Sequence, residues 1–412
     1  MGELFQARTV DGAREILQRH LKEQESKDRQ RVPLPEALGL RLAADVHAGE
    51  DVPGFDRSTM DGFAVRATDT FGASESLPAY LDVTGEIFMG KDAGGEVGPG
   101  QAWKIPTGGM LPPGADAVVM LEYTEALDES TIGVTRPVGP GENVVRRGED
   151  VPRGSLVLQA GHIIRPQDLG VLSAVGVSEV EVKSPPRVGI ISTGDEVVPV
   201  DNVPGPGQVR DINSYALYGQ VKACGGQPVL YGIVRDEFEL LQEMLARAVS
   251  ECHLVILSGG SSVGTRDVAS KVIESLGEPG ILFHGISIKP GKPTVGAVVK
   301  GSPVFGLPGH PVSAMVVFEL LVAPLVRYGE YRKNPLEFAL WAKLTRNMRS
   351  AAGREDYIRA KLKESEKGEL LAEPILGKSG LIATMVKAHG LAKIPAGKEG
   401  VEAGEYVAVK LF

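Results

Sequence analysis

The sequence predicts a multidomain α/β fold. A central, mostly parallel α/β sheet domain is joined to an N-terminal linker domain, a small β-rich domain and a C-terminal β-barrel-like domain. Three observations predict it. From Arg187 to Val326, short apolar runs alternate with helical periodicity at βαβ spacing, which demands a mostly parallel sheet with right-handed crossovers. From Tyr80 to Arg147, short β-type segments are divided by Gly and Pro. After Gly329 the helical pattern stops and strand-like runs follow, which fits a barrel-like unit. At 412 residues the chain exceeds what one core supports, so several domains are expected. The boundaries read as 1–50 with 148–183 for the linker domain, 51–147 for the β-rich domain, 184–328 for the α/β domain and 329–412 for the last.

The elements follow in order. Residues 8–30 read as a helix, because Val10, Ala13, Ile16, Leu17 and Leu21 recur at helical spacing with charges on the other faces. Leu34 to Val46 reads as a turn and a short strand. Asp51 to Ala64 is a loop dense in Pro, Gly and Asp that runs into a strand, and it is either a surface turn or a site. Within it, Asp61 is either a turn carboxylate capping backbone N–H groups or a functional group. Ala117–Met120, Gly133–Thr135 and Asn143–Val145 read as β segments. Arg146-Arg147-Gly148-Glu149-Asp150 is a charge run, more often a solvated face or a local ion-pair cluster than a site. Pro166 opens a helix that runs to Ala174, and Gly176 ends it.

From Arg187 the pattern is strand Val188–Ser192, helix Asn213–Ala223, strand Val229–Val234, helix Glu237–Ser250, strand Leu254–Leu257, helix Val268–Leu276 and strand Val304–Leu307. Leu254–Leu257 has no polar position, as a strand buried on both faces requires. Pro311–Val326 reads as one buried core helix. Phe338–Leu344, Tyr357–Leu362, Leu370–Glu373 and Tyr406–Val409 read as the strands of the last unit.

Composition excludes several functions. A formal net charge of −9 argues against nonspecific binding to nucleic acid or acidic membranes, which want a basic surface. Cys224 and Cys252 show neither metal spacing nor a disulfide framework, so a reducing cytoplasm fits. The first residues are no signal peptide, and no apolar run approaches the roughly 20 residues that span a bilayer.

In an open parallel sheet, ligands sit beyond the carboxyl ends of the strands. The first strand delivers Thr193, Gly194, Asp195 and Glu196 there, and the second delivers Asp236. The third delivers Ser258, Gly259, Gly260 and, after a turn, Asp267. Ile288–Pro293 offers Lys289 and Lys292, and the last strand ends at Pro308, Gly309, His310 and Pro311. Glycines let backbone N–H groups approach an anion. Several carboxylates held together repel, so they gather round a cation or with raised pKa values. An oxygen-only set suits magnesium, and two lysines on a proline-stiffened turn suit phosphate or another oxyanion. Each piece alone is weak, and His310 alone reads as a hydrogen-bonded turn residue rather than a metal ligand. There is no Walker A loop and no nucleophile elbow. The convergence describes a site for a phosphorylated ligand with magnesium.

Seven motifs in order then resemble the molybdopterin molybdenumtransferase family (MoeA and the E domains of gephyrin and plant homologues). They are Ser58–Ala64, Pro106–Gly109, Arg146–Asp150, Ser192–Glu196, Ser258–Gly264, Lys289–Pro293 and Leu307–Ser313. The resemblance covers nearly the whole chain and makes the central domain one of the molybdopterin-binding type. It implies an elongated cytoplasmic homodimer that inserts molybdate into adenylylated molybdopterin, with magnesium-dependent release of AMP. It also implies transient contact with the molybdopterin adenylyltransferase that precedes this step. By resemblance Asp61, Thr107, Asp150, Glu196, Asp236, Asp267, Lys289 and Lys292 match positions implicated in activity. Glu196, Asp236 and Asp267 are the expected magnesium ligands. The strand-end residues from Thr193 to Asp195, Ser258 to Gly260 with Gly264, and Pro308, Gly309 and Pro311 are expected at the ligand. Arg354, Arg359 and Ser379 look like oxyanion contacts. The segment around Asp61 is expected to reach a partner's sheet.

Two departures stand out. The family usually has Asn where His310 stands, and a titratable ring there makes oxyanion binding pH-dependent. It often has a third Arg where Val145 stands. Two other readings compete. The adenylyltransferase shares the central sheet but is normally one small domain, so the long flanking segments argue against it. A gephyrin-like scaffold that has lost catalysis conflicts with the intact carboxylates and lysines. These residue types do not separate molybdate from tungstate, which are nearly alike in size and charge.

Overall fold

The structure is a computed structural model, and it describes residues 7–21, 29–259, 268–332, 334 and 336–412. The chain divides into two compact units, Asp28–Ser184 and the remainder, Met1–Lys27 with Pro185–Phe412.

The Asp28–Ser184 unit holds two sheets with separate cores. Arg29–Pro33 and Arg41–Leu42 flank Glu179–Lys183 in an antiparallel three-stranded sheet. Leu42, Ile164, Leu172 and Val182 fill the core beneath it. The second sheet runs in the order Ala117–Met120, Gly62–Val65, Gln101–Ile105, Ala79–Glu86, Thr131–Val134, Thr124–Ala126. Gly62 opens its central strand for a steric reason. A Cβ there would lie 1.9 Å from the Val119 carbonyl oxygen, so only glycine lets the loop that carries Asp61 enter the sheet.

In the other unit, the strands Gln227–Val234, Arg187–Thr193, Leu254–Ser258 and Ser302–Leu307 pair in parallel, in that spatial order. Val295–Val299 and Pro279–His284 complete the sheet antiparallel. The sheet is buried on both faces, because alternate residues of one strand serve different cores. Ile190, Ile256 and Phe305 meet Leu217, Val221 and Phe318 on one side. Ile191, Val255, Leu257 and Val304 meet Leu241, Leu245, Val272 and Ile273 on the other.

The C-terminal strands form a closed ring. Glu355–Glu364 pairs with Leu370–Pro374 and Gly390–Ile394, and Tyr406–Leu411 pairs with Leu340–Leu344 and Gly390–Ile394. Leu340–Leu344 pairs with Leu370–Pro374 and closes the barrel. Its interior is lined by small residues, Ala342, Ala360, Ala372 and Ala392 among Leu344, Ile394 and Val409, as so narrow a ring requires.

Four sequence expectations are corrected. The first helix spans Val10–His20 rather than 8–30, with Thr9 Oγ1 capping it by accepting from the Gly12 N–H. Its expected continuation over 22–28 lies outside the described residues. The apolar stretch from Pro311 is not one regular helix: α-helix Pro311–Val317 passes through a π turn, Phe318–Val322, into α-helix Ala323–Tyr328. Pro324 explains the irregularity, since it can give no hydrogen bond to the Leu320 carbonyl four residues back. Arg14 takes that carbonyl instead, from Nε at 3.0 Å and Nη2 at 2.8 Å. This run, Pro311–Tyr328, is apolar and long enough to cross a membrane, but 78% of it is buried in the fold. Helices do not stop after Gly329, because a single turn, Ala383–Val386, follows the barrel's third strand. Finally, Ile288–Lys289 does not belong to the central sheet. It pairs in parallel with Glu355–Asp356 of the barrel, and so ties the lysine turn to the barrel.

Candidate active site

The parallel strands end in contacts too close for side chains. Gly259 has φ +105, and a Cβ there would sit 2.1 Å from the Thr193 carbonyl oxygen. Gly194 has φ +144, and the Glu196 carboxylate folds back to within 2.7 Å of where its Cβ would be. Asn213, which is 8% exposed, fastens these ends together. Its Nδ2 donates to Ser258 Oγ at 2.7 Å and to the Gly309 carbonyl at 2.8 Å. Its Oδ1 is buried and has no partner among the described residues. Asp211 does similar work on the neighbouring strand. Its Oδ1 accepts from Ser192 Oγ at 2.9 Å and from the Ser214 N–H at 3.0 Å. Together with Thr193, Glu196, Gly309 and Pro311, these residues line a cavity of about 490 Å³.

Pro293, Pro308 and His310 also form part of the wall of a second cavity, of about 840 Å³. The turn Lys289–Pro293 supplies Lys289 and Lys292 to it. The Lys289–Pro290 bond is cis. The turn lies flat on the helix from Pro311, because a Cβ on Gly291 would stand 2.5 Å from Val317 Cγ2. The barrel supplies Arg354, Arg359 and Ser379. Arg354 pairs with buried Asp356 at 2.9 Å. Arg359 differs, being 7% exposed with no ion pair among the described residues. Its Nη2 donates to the carbonyls of Gly377 at 2.7 Å and Ile375 at 3.3 Å, and its Nε is buried with no partner among the described residues. Burial holds its pKa below the ordinary guanidinium value, because desolvation disfavours the charged form. A buried cation without a counter-charge is costly, and here it faces a cavity.

Asp236 lies at the same sheet end as Thr193. Its Oδ1 accepts from Thr193 Oγ1, and its N–H approaches Asp195 Oδ1 at 3.4 Å. Among the described residues no three His, Cys, Asp or Glu side chains come close enough together to hold a metal. Gly260, Gly264 and Asp267 lie outside the described residues.

The remaining expected residues lie in the Asp28–Ser184 unit. Asp61 Oδ1 accepts from the Thr107 N–H at 2.7 Å, which brings two of the motifs together. Backbone bonds between Ser58 and both Gly108 and Gly109 reinforce this. Arg146 and Arg147 form a local ion-pair cluster. Arg146 pairs with Asp56 at 3.0 Å, and Arg147 with Asp51 at 2.8 Å. The Arg153 backbone N–H, and then Arg147, hold the Asp51 carboxyl below its ordinary range. Asp150 is exposed at the end of this run, and its N–H donates to the Val52 carbonyl. Val145, the position lacking a third Arg, pairs with Arg57 in a two-residue ladder.

The chain was compared with known proteins. Residues 8–176 match the MoeA N-terminal region, domains I and II. Residues 189–328 match the molybdopterin-binding domain, and 341–412 the MoeA C-terminal region, domain IV. It is 34% identical to the molybdopterin molybdenumtransferase of Bacillus subtilis, over 99% of this chain and 96% of that one. The chain belongs to the molybdopterin molybdenumtransferase (MoeA) family. It is accordingly a transferase of molybdenum cofactor biosynthesis. The molybdopterin molybdenumtransferase 1 of Mycobacterium tuberculosis is 33% identical, over 92% of this chain and 93% of that one. The crystal structure of a molybdopterin biosynthesis MoeA protein from Pyrococcus horikoshii OT3 superimposes with a TM-score of 0.84. It is 35% identical and covers 99% of this chain and 100% of its own.

Sequence reasoning missed Asp211, Asn213 and Ser214. The signal was present in Val209-Arg210-Asp211-Ile212-Asn213-Ser214, where polar residues cluster at a helix start beside the strand ends. They were passed over as the beginning of a helix.

Proposed function

We propose that the chain inserts molybdate into adenylylated molybdopterin and releases AMP. The observation that carries this reading is Arg359, a buried guanidinium with no counter-charge among the described residues, facing a cavity that Lys289 and Lys292 also line. Such a charge is tolerable where an oxyanion completes it. The smaller cavity, which shares a wall with the larger, offers acceptors: Asn213 Oδ1, Asp211 and Glu196. Those suit the ring N–H groups of a pterin or adenine. Molybdate then lies on the cationic side, and the organic ligand beyond Pro308 and His310.

In the reaction we infer, the oxygen of water bonds to the adenylyl phosphorus and gives its proton to solvent. The anhydride P–O bond breaks, its electron pair stays on the molybdopterin phosphate, and AMP leaves. Where a molybdate oxygen attacks instead, a water then hydrolyses the adenylyl–molybdate anhydride to AMP and molybdate. Lys289 and Lys292 balance the charge that develops, and removing one such donor costs roughly 10²–10³ in rate. The oxygen-only donors Glu196 and Asp236, with Asp267, are those we assign to magnesium, which needs only one or two carboxylates beside substrate phosphates. Bound there, it would polarise the phosphate oxygens. Asp61, Thr107 and Asp150 are assigned to activity as well. We further infer a homodimer, a cytoplasmic location that suits the two free buried cysteines, and hand-over of substrate from the adenylyltransferase.

The test is AMP release from adenylylated molybdopterin, followed by chromatography, with and without molybdate and magnesium. Molybdate-dependent AMP release is expected, and Lys292→Ala should lower it by roughly 10²–10³. Consumption of ATP with molybdopterin, and no AMP release from the adenylylated compound, would instead make the chain the adenylyltransferase.

A further inference from the structure

His310 occupies a place that no other titratable side chain among the described residues shares. It lines both cavities, where its companions in the common wall are Pro293 and Pro308. Its position is fixed from two sides. The His310 carbonyl accepts from the Ala314 N–H at 3.0 Å in the first turn of the helix from Pro311. Its ring Nδ1 lies 2.9 Å from Ser379 Oγ, in the barrel loop. Ser379 is in turn held to the helix, because its carbonyl accepts from the Val312 N–H at 3.1 Å. One ring nitrogen is therefore spoken for, and Nε2 is the one left to a ligand.

The charges on the walls of the larger cavity are mostly positive. Lys289 and Lys292 come from the turn, and Arg349, Arg354, Arg359 and Lys378 from the barrel. Asp356 is neutralised by Arg354. Arg210, Asp211 and Glu196 belong to the wall of the smaller cavity. An opposite charge within about 4–6 Å favours the charged form of a titratable group.

We propose that His310 is a proton-linked contact of the oxyanion cavity: the ring takes up a proton as a doubly charged oxyanion binds. Nδ1–H then donates to Ser379 Oγ and Nε2–H to the anion. No covalent bond changes, and the proton comes from solvent. The proposal rests on the reading of the larger cavity as an oxyanion site. It adds that affinity and proton uptake are coupled through this one ring. The sign follows from linkage. A ligand that favours the protonated form binds more tightly as pH falls and loses that advantage as pH rises past the bound ring's titration.

The experiment is titration calorimetry of the full chain with molybdate, in buffers of different ionisation enthalpy. The range is about pH 7 to 8.5, above the ordinary histidine value near 6.5. The wild type should take up roughly half to one proton per molybdate, and its Kd should rise with pH by at most about ten-fold per unit. His310→Asn and His310→Gln keep hydrogen-bonding groups but cannot titrate. Both should bind with no net proton uptake and a flat pH dependence. Binding without proton uptake in the wild type, or uptake unchanged in both variants, overturns the proposal. Should both variants lose their melting transition, the ring resonances of His310 in the wild type decide. Molybdate should move them toward the imidazolium position, and unmoved resonances overturn the proposal. A wild type that binds no molybdate overturns this proposal together with the functional reading beneath it, a result distinct from binding without a proton.

Discussion

Replacing Arg359 by Leu separates a functional charge from a structural one. In the folded chain the guanidinium is 7% exposed, donates to two carbonyls, and has no carboxylate partner among the described residues. Relieving an unpaired buried charge returns several kcal/mol of desolvation. Against that stand two charge-assisted hydrogen bonds of about 1.5–3 kcal/mol each. Both acceptors, Ile375 and Gly377, border the cavity, so water can replace the lost donor and discount that cost. The terms nearly cancel, and the variant without ligand should unfold within about 1–2 kcal/mol of the wild type. Molybdate binding should weaken by about 10- to 150-fold, the equivalent of one charge-assisted bond of 1.5–3 kcal/mol. Unfolding measured with and without molybdate reads both quantities. At a molybdate concentration near 100 times the wild-type Kd, the wild type gains about 2.7 kcal/mol. A variant binding thirty-fold more weakly gains about 0.9 kcal/mol at the same concentration. Destabilisation of the unliganded variant by more than about 3 kcal/mol, the cost of breaking a buried ion pair, would refute the reasoning. So would an unchanged molybdate affinity.

Three further outcomes are expected. Gly259→Ala should destabilise by more than about 2 kcal/mol and disrupt the smaller cavity, since its Cβ meets the Thr193 carbonyl at 2.1 Å; Gly170→Ala, with open space around it in a helix, should be neutral or stabilising by roughly 0.5–1 kcal/mol. Urea unfolding of both variants compares them, and equal stabilities would contradict the close approach. Lys410→Met should cost about 1.5–3 kcal/mol in the same assay, because it strips one cation from two carboxylates of low exposure, Glu319 at 3.0 Å and Glu337 at 3.3 Å, each of which keeps another, Arg327 and Arg14. Asp168 accepts from Arg165, and then from His162, which holds its carboxyl well below the usual range. Its contribution is therefore complete above the unfolded value of about 3.9 and is lost as pH falls toward the folded one. The urea midpoint of the Asp28–Ser184 unit should fall below about pH 4, and Asp168→Asn should flatten that slope.

Much of the central sheet was legible because its middle strands are almost wholly apolar and its longest helix amphipathic. Leu254–Leu257 and Phe238–Glu251, with Leu241, Leu245 and Val249 buried on one face, illustrate both patterns. The barrel was legible only in part. The strand Gly390–Ile394 and the short pairing of Met348–Arg349 with Gly400–Val401 were missed, since Gly390-Leu391-Ala392-Lys393-Ile394 carries little β-type alternation. The π turn could be anticipated from Pro324, but its cap by Arg14 is a contact across 306 residues and no local pattern encodes it. The same holds for the site. Lys289 and Lys292 were visible as a stiff basic turn, yet the sequence offered no hint that Ile288 pairs with Glu355. The value of Arg359 lies in a missing partner, and a missing partner is a property of three dimensions.

That pairing has a thermodynamic consequence. The larger cavity is bounded by the lysine turn on one side and by barrel residues on the other, so its shape depends on how the barrel seats on the α/β sheet. The seating is made by the Ile288–Lys289 ladder, the bonds of Ser379 to His310 and to the Val312 N–H, the network of Arg14, Glu319, Glu337 and Lys410, and a shared apolar core in which Tyr357, Met385 and Leu391 join Val317 and Phe318. An oxyanion that touches both sides binds only the seated arrangement, and so stabilises it by its own binding free energy. The relation is reciprocal. Any change that loosens the seating lowers oxyanion affinity by the same factor by which the oxyanion restores the seating. The stretch Leu391, across from Arg359 on one side and Lys410 on the other, joins the two groups through adjacent strands. If the larger cavity takes the oxyanion as proposed, binding and domain docking are one equilibrium, and Arg359 is the part of the cationic site already buried before the anion arrives.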